Sequence, residues 1–265
     1  EDFYKEAALQ YKVFSWLHWA PGLATPCLQA LHAEFPGAVP GPALHYRIKN
    51  VLGGVRYGFK PETTLLGTSL CPDEINNEVG DLIHCMRNHW GHHVFPLGGI
   101  SGAPFAGATG FNAFAHHVPE NGDIIVVYGP HVAISNEGEI GKCLREGQAH
   151  LSTACGAVIG AYKACSAKGA KDEDGEFDEN DMQMAFIKAQ LAPHVERIKA
   201  AKNPMASLAY QAYEMVNAKM DRIVNNDFGG GRLVLIGGIQ INMPAPFCSQ
   251  FLPRRFEVRQ KGQRS

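Results

Sequence analysis

The sequence predicts an α/β protein with a mainly parallel central sheet flanked by helices. Short apolar, β-branched runs such as TTLLGTSL (63–70) and DIIVVYG (123–129) have the form of strands buried on both faces. Helical patterns separate those runs, as βαβ crossovers require. No internal repeat or low-complexity linker divides the chain, so its 265 residues read as a single domain with a large core. Within it, residues 1–50 read as a helical arm and 51–265 as the core.

From the N-terminus, Phe3, Ala7, Leu9, Tyr11, Val13 and Leu17 recur as in a helix that stops near Pro21. A second helical piece follows from about Pro26 to Glu34, and Pro36, Pro40 and Pro42 mark an irregular connection. TTLLGTSL ends in Cys71-Pro72-Asp73-Glu74, and Ile75 to Trp90 reads as helix, with Pro72 suited to its start. VFPLGG (94–99) is a second apolar run, and a helix around Phe111 to His117 leads into DIIVVYG, which ends in Pro130-His131. A helical pattern from Gly141 to Ser166 carries Cys155. Two more helices are expected over Asp181 to Ala200 and Pro204 to Asn225, before a last long strand, RLVLIGGIQINM (232–243).

Hydrophobic residues make up 45% of the chain and charged ones 19%, ordinary for a soluble globular protein. Lys+Arg 24 against Asp+Glu 26 leaves a net charge of -2, which gives no basic field for nucleic acid and no membrane patch. No apolar run approaches the ~18 residues needed to span a bilayer. The opening EDFYKEAALQ carries neither a secretory signal nor a transit pattern. Seven cysteines are too sparse for a disulfide scaffold and suit a reducing compartment, where they serve as buried residues or metal ligands.

In open α/β sheets, ligands bind outside the carboxyl ends of the strands. Two such ends carry metal-ligating residues here, Cys71 and His131. If the strands are parallel neighbours, both side chains emerge at one edge, and a helix bearing Cys155 can return to it. Two thiolates and an imidazole form a good zinc set, and three protein ligands leave the fourth position for water. A nucleophilic thiolate pair of Cys71 and His131 is the rival reading, which leaves Cys155 without a role.

Other clusters carry less. In HWGHH, His89, His92 and His93 read as a polar helix end, and adjacent rings such as His116 and His117 point to different sides. The acidic run KDEDGEFDENDMQ (171–183) fails the calcium-loop pattern, because Ala170 falls at its first position and Asp181 at its twelfth. The glycines of DFGGGR precede a strand, whereas phosphate-cradling glycines follow one.

Three stretches resemble a known family. SLCPDEIN, VYGPHVAIS and STACGAVIGAY are similar to the hallmark segments of the limiting-carbon-dioxide-inducible B/C family, a divergent branch of β-type carbonic anhydrases from microalgae and some bacteria. The similarity is specific from Lys49 to Ser166 and looser beyond. The resemblance implies a β-carbonic-anhydrase-like fold and zinc held by Cys71, His131 and Cys155, with Asp73 as the acid beside the metal. It implies reversible hydration of carbon dioxide to bicarbonate within a carbon-concentrating mechanism. Assembly as a homodimer, or as a hetero-oligomer with a paralogue, is also implied. So is the chloroplast stroma around the pyrenoid, with no transit peptide in this chain. The apolar residues Phe14, Trp16, Leu17 and Trp19 would then help cover the arm at an interface. A zinc-bearing subunit without activity of its own is the alternative function.

Two features depart from ordinary β-type enzymes. His131 and Cys155 lie 24 positions apart rather than being separated by two residues, so Val132 to Ala154 must loop out and return. Ile75 stands where the ordinary family has an arginine two residues after the aspartate, so Asp73 needs a cation from elsewhere. Arg87 would lie roughly 17 Å along its helix, too far to serve. Arg56, in GGVRYGF, is the favoured partner and Arg145 the reserve. Zinc would lower the pKa of bound water to about 7. Asp73 would orient that water, and the glycine-rich GGISGAPFAGATG (98–110) would wall an apolar pocket for carbon dioxide.

Overall fold

The protein's structure, a computed structural model, describes residues 25–91, 94–168, 179–224 and 231–260. The expected first helix of the arm, residues 171–178 of the acidic run, His92, His93 and most of DFGGGR lie outside these residues. In chain order the strands are β1 (Val39–Pro40), β2 (Thr64–Ser69), β3 (Val94–Pro96), β4 (Asp123–Tyr128), β5 (His131–Ala133), β6 (Lys142–Cys143), β7 (Ser152–Thr153), β8 (Arg232–Asn242) and β9 (Gln250–Gln260). The α-helices are α1 (Pro26–Glu34), α2 (Gly41–Gly53), α3 (Leu82–Trp90), α4 (Gly107–His116), α5 (Gly156–Lys168), α6 (Met182–Leu191), α7 (Val195–Lys199) and α8 (Pro204–Ile223). Among the described residues no helix is long and apolar enough to cross a membrane.

Seven strands form one sheet in the order β1-β9-β8-β4-β2-β3, with β5 continuing beside the far end of β8. All pairs among β2, β3, β4, β5 and β8 are parallel, and β9 runs antiparallel to β8. Along β4, Ile124, Val126 and Tyr128 face one helical layer, whereas Ile125 and Val127 face the other. One layer holds α1, α4, α5, α6, α7 and α8, and α2 with α3 cover the opposite face. Burial on both faces makes β4 apolar from Ile124 to Tyr128.

The structure differs from the sequence reading in several elements; the helix expected over Asp181 to Ala200, for one, divides into α6, a 3-10 turn at Ala192–His194 and α7. Residues 26–50, expected within an appended arm, pack into the body. Leu28, Leu31 and Phe35 join the core and β1 pairs with β9. The helix expected over Ile75 to Trp90 divides into a 3-10 turn at Glu74–Asn76, capped by Asp73, and α3, because Gly80 with φ 101 breaks the helical path between them. The helix expected from Gly141 starts only at Gly156, and the chain before it forms the β6–β7 hairpin.

Candidate metal centre

Parallel pairing of β2 and β4, with Ser69 opposite Tyr128, brings the two carboxyl ends to one edge. Cys71 lies two residues past β2. At Gly129 the backbone turns with φ 150, and a Cβ there would overlap the carbonyl oxygen of Gly238. That close approach lets the chain resume beside β8 as β5, with His131 opposite Gln240. Cys155 enters from the other side, immediately before α5, where its carbonyl accepts from the Ile159 amide at 3.1 Å.

The three side chains meet. The ligating atoms of Cys71, His131 and Cys155 all lie within 4.8 Å of one another, and all three residues are buried. The two sulfurs are 3.9 Å apart. Tetrahedral coordination with metal–sulfur bonds of about 2.3 Å requires a separation of about 3.8 Å. His131 Nδ1 donates to Asn242 Oδ1 at 2.9 Å, and its buried Nε2 has no hydrogen-bond partner. The hydrogen on Nδ1 leaves Nε2 with a lone pair. Asp73 Oδ2 lies only 3.7 Å from that nitrogen. Two sulfurs and an imidazole lone pair thus converge beside a carboxylate, and the three-donor set calls for a cation and fits zinc.

The electrostatics agree. A hydrogen bond from Cys155, joined by one from the Asp73 backbone amide, outweighs burial and holds the Cys71 thiol down at about 4. The same bond to Cys71, together with burial, pushes Cys155 up, while the amides of Val158 and Ala157 at the start of α5 act in the opposite direction. Burial pushes the Asp73 carboxyl up, but hydrogen bonds and charge from Arg145 hold it below its ordinary value.

Arg145, not Arg56, is the cation on Asp73. Its Nη1 donates to Oδ1 at 2.8 Å and its Nη2 to Oδ2 at 2.9 Å, a bidentate fork, and it also pairs with Glu74. The β6–β7 hairpin aims it, with Arg145 Nε donating to Ser152 Oγ at 2.9 Å. Arg56, the favoured candidate from sequence, instead lays its guanidinium over the Tyr57 ring at 5.1 Å. The segment between His131 and Cys155 therefore does more than loop out, because it supplies the partner that Ile75 cannot.

The glycine-rich segment runs against this edge. Ser69 Oγ donates to the carbonyl of Gly102 at 2.9 Å, and a Cβ on Gly102 would overlap Gly129. A separate cleft touches His131 and Cys155 and is lined by Val132, Val158, Ile159, Met205 and Leu208. Asn242 and Asn76 escaped the sequence reading. The available signal was Gln240 and Asn242, polar at period two near the end of a strand otherwise apolar.

Comparisons with known proteins meet the same reading. The family of limiting CO2-inducible proteins B/C beta carbonic anhydrases matches residues 38–260. A crystal structure described as PtLCIB4, a homolog of the limiting CO2-inducible protein LCIB, is 32% identical with a TM-score of 0.79, covering 88% of this chain and 95% of that one. The crystal structure of limiting CO2-inducible protein LCIB, 20% identical with a TM-score of 0.65 over 86% of this chain and 92% of that one, shares the fold. The comparison with curated proteins gave no match. Its match over most of its length and the solved relative above the 30% level place the chain in the limiting CO2-inducible B/C family of β-carbonic-anhydrase-like proteins.

Proposed function

We propose that the chain is a zinc-dependent carbonic anhydrase that interconverts carbon dioxide and bicarbonate. One observation carries this reading: the Arg145 fork holds Asp73 beside the Cys71–His131–Cys155 set without letting the carboxylate join it. Zinc, when bound there, supplies a Lewis acid that brings the pKa of its water to about 7.

The rest falls to this chain's residues. Asp73 Oδ1 accepts from Arg145 Nη1 and from the Ile75 amide at 3.5 Å, while Oδ2, which accepts from Arg145 Nη2, keeps a second lone pair for the centre. An ionised carboxylate only accepts hydrogen bonds, so Oδ2 receives the O–H of water at the centre and aims its oxygen lone pair at carbon dioxide. Arg145 keeps that carboxylate ionised, because its charge opposes protonation. The packed segment 98–106 and the apolar side chains near Cys155 exclude bulk water and suit an apolar substrate. A carbon-concentrating role in the chloroplast stroma, and assembly with a second copy or a paralogue, extend the proposal on the family resemblance alone.

Metal analysis with stopped-flow hydration tests it. We expect about one zinc per chain and a measurable hydration rate. Asp73→Asn should keep the zinc and lose on the order of 100-fold in rate, or about 2.7 kcal/mol of barrier. Zinc without hydration in the unmodified protein would favour the silent zinc-bearing subunit. Full activity in Asp73→Asn would overturn the role given to that residue.

A further inference from the structure

Behind the ligands lies a chain of amides whose direction can be deduced. The backbone carbonyl of Cys71 is an obligate acceptor, and Asn76 Nδ2 donates to it at 3.2 Å. That fixes the Asn76 amide and presents its Oδ1 to Asn242, whose Nδ2 donates there at 3.2 Å and to the carbonyl of Ile75 at 3.0 Å. With two oxygens against its nitrogen end, the Asn242 amide must turn Oδ1 toward His131, where Nδ1 lies 2.9 Å away. Reversing either amide would set oxygen against carbonyl oxygen in a buried site, at a cost of order 1–3 kcal/mol per unsatisfied group. Asn76 and Asn242 are 3% and 6% exposed, so water cannot relieve the mismatch.

From this polarity we infer that Asn242, oriented by Asn76, is a positioning residue that locks His131 with its hydrogen on Nδ1 and its lone pair on Nε2. The backbone of one ligand, Cys71, thereby dictates the tautomer of another, His131. The bridge also spans three parts of the fold: the turn after β2, the start of β5 and the end of β8. One sheet edge and one ligand tautomer are set by the same four hydrogen bonds. The inference rests on reading Cys71, His131 and Cys155 as zinc ligands, and it makes no use of hydration activity.

The test uses the full-length protein and two variants. Nitrogen-15 NMR of the metal-free protein reports the tautomer of His131, assigned with His131→Gln. Zinc affinity is measured by competition with a chromophoric chelator. The unmodified protein should show a single Nδ1–H tautomer. Asn242→Leu removes the three bonds that Asn242 makes while keeping its branched shape, so the tautomer should become mixed and zinc affinity fall 10- to 100-fold. Asn242→Asp can still accept from Nδ1 but turns an oxygen toward the Ile75 carbonyl. It should keep the tautomer and much of the zinc affinity while losing thermal stability.

That split separates positioning from general support, which would move affinity and stability together in both variants. An Nε2–H tautomer in the unmodified protein, or zinc affinity in Asn242→Leu within twofold of it, overturns the inference. If either variant fails to fold, the tautomer in the unmodified protein still decides. A locked tautomer in a protein with no hydration rate sinks the proposed activity and leaves this inference standing.

Discussion

Arg145 reaches Asp73 across 72 positions of chain, and no spacing rule could have paired them. Cys71, Pro72 and Asp73 were legible because they are contiguous at a strand end. His131 and Cys155 were legible because each sits in its own short motif. The arginine was legible only as the reserve to Arg56, since its place depends on how the β6–β7 hairpin folds back. Its fork should be testable residue by residue. Arg145→Leu is expected to retain zinc and to cut hydration on the order of 100-fold, because an unpaired Asp73 is free to swing onto the metal. Arg145→Lys keeps the charge without the fork and should recover only part of that rate. Arg56→Leu should stay within twofold of the unmodified protein, and stopped-flow rates on the three variants decide it. A large loss in Arg56→Leu alone would return the role to the residue first favoured.

At the scale of elements, the centre exists because β4 stops and resumes as β5 around Gly129. The interruption coincides with an irregularity in β8, where the register with β9 shifts between Gly237 and Gly238. A side chain at Gly129 has nowhere to go, so Gly129→Ala should separate His131 from the two sulfurs. A loss of roughly 3 kcal/mol in urea unfolding, with weaker zinc retention, is expected. Gly107→Ala is the control. Its φ of 65 is also left-handed but its Cβ meets nothing within 4 Å, so it should cost about 1 kcal/mol and leave zinc binding intact.

The strands β4 and β8 followed from sequence because burial leaves a nearly unbroken apolar record, and α8 because its buried residues recur at helical spacing. By contrast β9 was invisible. Pro253, Arg254, Arg255, Glu257 and Arg259 make its outer half polar, and proline is tolerated there because only β8 and the two-residue β1 pair with it. The helical pattern before Cys155 misled for a related reason. Side-chain periodicity over 141–155 carries no information about a hairpin whose strands are two residues each.

Over the whole molecule, two buried groups on the α2–α3 face oppose one another as pH changes. Asp81 is 1% exposed and accepts from Gln240 Nε2 at 2.8 Å. Burial, reinforced by nearby Glu78, pushes its carboxyl up to about 7. His45 is fully buried, and burial, helped by His89 and Lys49, pushes its imidazole down to about 4. A carboxyl raised on folding contributes stability that is present below about 3.8 and is lost as pH rises toward 7. An imidazole lowered on folding does the reverse, with stability present above about 6.5 and lost as pH falls toward 4. Between about 4 and 6.5 the two slopes have opposite signs and similar size, so the contributions of Asp81 and His45 to urea stability cancel there. Asp81→Asn keeps an N-cap residue and an acceptor for Gln240 but removes one slope. Relative to the unmodified protein, its stability should then climb across that window by on the order of 3 kcal/mol, since each unit of pKa shift is worth about 1.4 kcal/mol. Measuring both proteins under the same zinc chelation cancels the titration of the metal ligands. A difference between them that stays constant from pH 4.5 to 6.5 would show that Asp81 is ionised throughout, and that the buried acid does not hold its proton.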